Sequence, residues 1–186
     1  PRVGGLAVFA GCIFAWALSE NPASNFLGIL IISSIPLLCF GLLDDLHFKV
    51  LPIYRLLAGA LSSIIAIIFL ETWLVRVDVL GFDHLLFYAP FAIIFTIFAT
   101  TGVSHAFNVI DGLHGLSLGV SLSASFFLTV LGWVAMDTFI VLLSLVFFMS
   151  TLGLLLLNFP WGKIFLGDGG AYFQGHCLSW ISILLL

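Results

Sequence analysis

Seven stretches of almost uninterrupted apolar residues divide this chain, at about 3–18, 26–43, 53–70, 85–104, 116–136, 138–157 and 171–186. Each approaches the roughly 20 residues that an α-helix needs to cross the hydrocarbon core of a bilayer. None shows the period-two alternation of a barrel strand, and in lipid only helices and closed barrels satisfy their own backbone polar groups. The expected fold is therefore all-α, a polytopic transmembrane helix bundle with about seven membrane helices. Composition agrees. The 186 residues are 62% hydrophobic and only 8% charged, against about 25% charged in an ordinary soluble domain. A net charge of −4 with no basic run argues against nucleic acid as a partner.

Smaller features fit the same picture. Cys12, Cys39 and Cys177 sit within apolar runs without metal-ligand spacing, and read as small apolar residues buried among helices. Pro36 and Pro90 fall inside runs and are expected to bend those helices. Ser33, Ser34, Ser62, Ser63, Gly115 and Gly119 suit close helix packing. The chain opens on PRVGGL and closes within WISILLL, so residues 1–186 read as one membrane-embedded domain truncated at both ends.

Alternation along the runs places the N-terminus and the connections DDLHFKVLP, SHAFNVIDGLHG and NFPWGKIFLGDGG on one face. That face holds Arg2, Lys49, Arg55 and Lys163, whereas the other has only Arg76. Positive charge marks the cytoplasmic side, so these connections are expected in the cytoplasm. Trp16, Trp73 and Trp133 fall near the opposite helix ends and Trp161 near this one, as interfacial aromatics do.

The same face collects Asp44, Asp45, Asp111 and Asp168. Carboxylates that converge at short range repel one another, so some take up protons or a cation holds them. An oxygen-rich site of this kind suits Mg²⁺, or Mn²⁺, which bind through one or two carboxylates and keep other positions for water and phosphate. Each aspartate also has a plainer reading, as an interfacial cap or a turn residue. Nearby groups favour phosphate: Lys49 and Lys163 are point charges, and Gly112, Gly115, Gly167, Gly169 and Gly170 let a backbone approach a ligand closely. In NVIDGLHG, Asn108, Asp111 and His114 stand three apart and share a face if helical.

PRVGG at 1–5, GLLDDLHFK at 41–49, NVIDGLHGLSLG at 108–119 and NFPWGKIFLGDGG at 158–170 come in an order that resembles one family. It is that of the polyprenyl-phosphate N-acetylhexosamine-1-phosphate transferases, glycosyltransferase family 4. This family includes phospho-N-acetylmuramoyl-pentapeptide transferases and undecaprenyl-phosphate N-acetylglucosaminyl-phosphate transferases. The resemblance implies Mg²⁺-dependent transfer of a sugar 1-phosphate from a UDP-sugar to a polyprenyl phosphate lipid, releasing UMP. It implies a cytoplasmic-face site in the inner membrane and cell-envelope synthesis, with a homodimer allowed for.

Carried over residue by residue, the resemblance makes Asp44, Asp45, Asp111 and Asp168 catalytic. Asp44 and Asp45 match the family's paired aspartates, one of which activates or positions the lipid phosphate, with Asp44 also a metal ligand. Lys49 lies near the basic residue that follows them. Asn108 and Asp111 match the asparagine and aspartate of its DG motif, and Asp168 its second metal-ligating aspartate. Asn158, Lys163 and His114 are assigned to substrate. His114 stands where many members have another aspartate. The family's His-rich loop, further toward the C-terminus, is not in this chain, and His176 does not substitute for it. PRVGG and NFPWGKIFLGD are closer to the polysaccharide branch. The alternative function is an ion-coupled transporter, which places its acids nearer the bilayer midplane.

Overall fold

The computed structural model describes residues 2–20, 23–79 and 81–186. Pro1 of the PRVGG motif, Asn21 and Pro22 of the first connection, and Leu80 lie outside the described residues. Among the described residues, seven long helices and one short helix follow in order: α1 (Gly4–Leu18), α2 (Ala23–Asp45), α3 (Pro52–Leu70), α4 (Asp83–Leu86), α5 (Ala89–Ile110), α6 (Leu116–Val134), α7 (Thr138–Asn158) and α8 (Gly167–Leu185). The all-α bundle of about seven membrane helices is what forms. By length and composition α2, α3, α5, α6 and α7 can each cross a membrane, and α1 is a shorter apolar helix.

Helix boundaries correct two expectations. The run at 85–104 is divided into α4 and α5, with Pro90 in the first turn of α5. There proline's fixed φ and missing N–H suit a helix start, so it introduces no bend. Asp44, Asp45 and Asp168 are themselves helical, at the end of α2 and the beginning of α8, rather than in the connections.

The centre of the bundle belongs to α8, which packs against α1, α2, α5, α6 and α7. It is buried on nearly every side, from Gly169 through Leu178 without a break. This position explains its polar residues, because lipid does not reach them. The Gln174 amide receives the Ser121 hydroxyl and donates to Thr151 Oγ1 at 3.1 Å, and the His176 ring meets Ser33 Oγ at 2.9 Å. Polar groups inside a membrane bundle survive by finding such partners. Cys12 and Cys177 are buried as expected, but Cys39 faces outward from α2.

Close approach at the start of α8 depends on missing side chains. A Cβ on Gly5 would strike the Gly170 backbone, and one on Gly41 would strike the Gly169 backbone. Gly169 and Gly170 are therefore helix-packing glycines, wedged between α1 and α2, and not the ligand-facing residues expected of them. Backbone bonds tighten the junction: Gly4 N–H donates to the Phe165 carbonyl at 2.8 Å and Gly5 N–H to that of Leu166 at 2.7 Å. Ser33, Ser34, Ser62 and Ser63 are buried between helices. Gly119, by contrast, has open space where a Cβ would lie, so it mediates no close contact.

Candidate active site

One end of the bundle gathers the beginnings of α1, α3, α6 and α8 and the ends of α2, α5 and α7, as alternation requires. The site grows from the first turn of α8. Gly167 has φ +79°, in the left-handed region, and a Cβ there would press on Asp45 Oδ2 and the Arg2 carbonyl. With that turn made, the Asp168 and Gly169 amides donate to the two oxygens of Asp45, at 3.0 and 3.1 Å. The unpaired amides and positive dipole end of α8 are thus capped by a carboxylate from another helix. Both Asp45 oxygens are engaged in this way.

Asp44, one residue earlier on α2, points elsewhere. Its Oδ2 accepts from Arg55 Nη1 at 2.8 Å, and the same nitrogen lies 3.6 Å from Asp168 Oδ2. Asp44 and Asp168 thus share one guanidinium, and Asn108 lines the same cleft as Asp168. Behind them the buried Tyr172, one turn along α8 from Asp168, donates its hydroxyl to Asn108 Oδ1 at 3.3 Å. The His105 ring meets the Tyr172 ring edge-on at 5.0 Å. Paired aspartates in sequence therefore divide the work: one braces α8, and the other faces the second carboxylate across a guanidinium.

Beside this cluster opens a cleft of about 430 Å³, lined by Arg2, Asn108, Asp111, His114, Asn158 and Asp168 among others. Its size is that of ordinary small-ligand sites. Asn108, Asp111 and His114 do meet here, although α5 ends at Ile110 and the three do not share one helix face. Burial pushes the Asp111 carboxyl up to about 7; the Gly167 backbone amide opposes the shift, the Asp168 and Asp45 charges add to it, and Arg2 opposes it. A carboxyl with that value changes charge near neutral pH, as an exchanging acid or base must.

The other site residues are placed as follows. Asn158 is buried and committed to the backbone, accepting from Gly115 N–H at 2.7 Å and donating to the Ile164 carbonyl at 2.8 Å. It ties the connection after α7 to the start of α6, whose N-cap is Gly115 at φ +75°. His114 lies edge-on to Phe165 at 4.8 Å. Lys49 and Lys163 are both exposed and stand outside the cleft lining, and Lys163 Nζ lies 5.6 Å over the Trp161 ring. Gly112 has nothing within 4 Å of an added Cβ, so its backbone is open to a ligand.

Sequence reasoning overlooked Arg2, Arg55 and Tyr172. Both arginines were visible as positive-side charges. Arg55, a lone arginine at the start of an apolar helix, carried the stronger signal, since such a charge needs a partner.

The donor set can be tested against magnesium. Among the described residues no three His, Cys, Asp or Glu side chains form a cage. Mg²⁺ does not need one: it is commonly held by one or two carboxylates plus water and substrate phosphate. Asp44 and Asp168 already address one cationic group in common. The residues present fit that ion.

Fold and site together define a multi-pass membrane protein with a carboxylate-rich cleft at one end of its helices. Residues 26–186 match the model of glycosyl transferase family 4, and the chain belongs to that family. It is 30% identical over 184 residues to a probable undecaprenyl-phosphate N-acetylglucosaminyl 1-phosphate transferase of Bacillus subtilis, covering 99% of this chain and 51% of that protein. An undecaprenyl-phosphate alpha-N-acetylglucosaminyl 1-phosphate transferase of Thermotoga maritima is 32% identical over 99% of this chain and 52% of its own length. A phospho-N-acetylmuramoyl-pentapeptide-transferase of Streptococcus pneumoniae is 31% identical over 100% of this chain and 59% of its own. The chain thus spans about half the length of the first two relatives and somewhat more of the third.

Proposed function

We propose that the protein containing this chain transfers an N-acetylhexosamine 1-phosphate from a UDP-sugar to a polyprenyl phosphate, at the cytoplasmic face of the cell membrane, in cell-envelope polysaccharide or peptidoglycan synthesis. One observation carries the reading: Asp44 and Asp168, from helices far apart in sequence, converge on one cation beside a polar cleft, in a chain of glycosyl transferase family 4. In the reaction an oxygen of the lipid phosphate attacks the sugar-bearing phosphorus of the donor. The bond from that phosphorus to the bridging oxygen breaks, and UMP leaves with the electron pair.

Asp44 and Asp168 are the residues that would hold Mg²⁺, which, when bound, offsets the charge of the donor diphosphate. Asp45 fixes the first turn of α8 and hence the direction of Asp168. Asn108, held by the Tyr172 hydroxyl, borders the cleft beside Asp168 as a polar contact for substrate. Asp111, poised near neutrality inside the cleft, accepts the proton of the attacking lipid phosphate. Arg2 faces the diphosphate as a counter-charge, while His114 and the open backbone at Gly112 border the nucleotide. Asn158 shapes the cleft floor. Lys49 and Lys163, on the exposed rim, attract anionic substrate over a longer range.

The test follows UMP release by the full-length protein in detergent, given undecaprenyl phosphate and a panel of UDP-N-acetylhexosamines, with and without Mg²⁺. Metal-dependent release is expected, and Asp168→Asn should lower it on the order of 10²- to 10³-fold at unchanged folding. If no donor yields UMP from folded protein, the reading is wrong.

A further inference from the structure

Arg55 is poorly placed for its own helix. It lies in the first turn of α3, where the positive end of the helix dipole disfavours a cation. Its compensation comes from Asp44 and Asp168, and those two carboxylates cannot separate. Asp168 sits on a turn whose backbone is wedged against Gly41 and Gly5 by glycine contacts, and Asp44 is one residue from the carboxylate that caps that turn. Two acids fixed so close together need either a proton or a positive group between them, and here the guanidinium supplies the positive group.

The same atoms are at stake when a metal arrives. The guanidinium addresses Oδ2 of Asp44 and Oδ2 of Asp168, and an oxygen turned to a guanidinium is not free to turn to a metal. Near Arg55 lie one neutral hydroxyl, that of Tyr172, and the His105 ring packed on Tyr172. Among the described residues no other carboxylate lies within 4.0 Å of the Arg55 guanidinium. A guanidinium displaced there needs a new anion, and its planar fork suits phosphate.

We propose that Arg55 is the built-in counter-cation of the metal-free site: it competes with the divalent ion for Asp44 and Asp168, and gives them up when a substrate phosphate takes its guanidinium. This rests on the reading of Asp44 and Asp168 as metal ligands, and it makes metal and phosphate bind cooperatively through one side chain. By linkage, each tightens the other by the same factor. A loaded site then assembles only when both are present.

Mn²⁺ binding by electron paramagnetic resonance tests this without any turnover. The full-length protein in detergent is titrated with Mn²⁺, alone and with inorganic pyrophosphate as the phosphate probe, after subtracting the Mn²⁺ bound by pyrophosphate itself. Wild type is expected to bind Mn²⁺ more tightly with pyrophosphate, by a factor within the roughly 5- to 150-fold of ordinary site coupling. Arg55→Gln should bind Mn²⁺ tighter than wild type by a similar factor without pyrophosphate, and gain little more with it. Arg76→Gln, which removes an exposed charge at the opposite end of the bundle, should behave as wild type and so separate occupancy from a general change in charge. Arg55→Lys, a point charge lacking the fork, should fall between wild type and Arg55→Gln, and answers the question if the glutamine variant does not fold. If Asp168→Asn abolishes Mn²⁺ binding but Arg55→Gln and Arg55→Lys bind it no tighter than wild type, the Arg55 proposal fails while the metal site stands. If Asp168→Asn binds Mn²⁺ as wild type does, the metal-site reading itself fails and the proposal with it.

Discussion

The two ends of this bundle use the same few residue types in opposite ways. At the end opposite the cleft, the charges that find partners find them nearby in sequence. Asp137 caps α7 by accepting from the amides two and three residues ahead, Asp83 receives the Val77 amide six residues back, and Arg76 pairs with the nearby Asp78 in full view of solvent. At the cleft end the partners are distant. Asp44 and Arg55 belong to different helices, and Asp45 holds amides 123 and 124 residues away. Local pairing closes a turn; distant pairing commits whole helices to holding charges together near lipid, where isolated charges are costly. That commitment, more than the presence of acids, separates a site from a loop.

Substitutions at matched positions can break the comparison. The largest effect is expected for Asp45→Ala, which removes a cap and at the same time frees the turn bearing Asp168. Stability should fall by about 1–2 kcal/mol and UMP release by on the order of 10²-fold, read as a lowered melting temperature and a lowered rate in one preparation. Asp137→Ala removes a cap of the same chemical kind at the other end. It should cost about 1 kcal/mol and leave the rate per folded molecule unchanged; an equal loss of rate would dissolve the distinction between the ends.

Acidity sharpens the contrast further. Because the folded state raises the Asp111 carboxyl to about 7, its neutral form is the one the fold favours. Its contribution to stability is fully present below the usual carboxylate range and is lost as pH rises through about 7. With chelator present, the melting temperature should therefore drop between about pH 4 and pH 7, and Asp111→Asn should shrink that drop. The smallest effect belongs to Arg76→Ala. Its pair with Asp78 is 60% and 70% exposed, and removal should change stability by less than about 0.5 kcal/mol, with no change in turnover.

Much of this was legible in the chain. Apolar run length gave seven long helices, because lipid imposes the same length on each of them. Alternation brought Asp44, Asp45, Asp111 and Asp168 to one end, since parity along a chain of spanning helices survives errors of several residues at each boundary. What stayed hidden were facts about pairs. Nothing in GLLDD says that the second aspartate would cap α8 while the first met Arg55, because that depends on rotation of α2 about its axis. Nothing in GDGG separates a glycine that admits a ligand from one that admits another helix, since both require only a missing Cβ. Asn158 read as a substrate contact; it does line the cleft, and nothing in the sequence told that its amide also joins the backbones of Gly115 and Ile164. The hydropathy that located α3 and α7 gives a weaker signal for α8, because burial on all sides by protein permits the polar residues that contact with lipid forbids.

The glycine contacts that wedge the first turn of α8 between α1 and α2 also bear on how the protein meets membranes of different thickness. Helices answer a thinner or thicker bilayer by tilting, and a tilt needs a pivot. Where backbone touches backbone there is no side chain to give way, so α1, α2 and α8 can rock only about the cleft end and must spread or close at the other. The geometry around Asp168 would then stay fixed across lipids of different chain length, while the far ends of the helices absorb the mismatch.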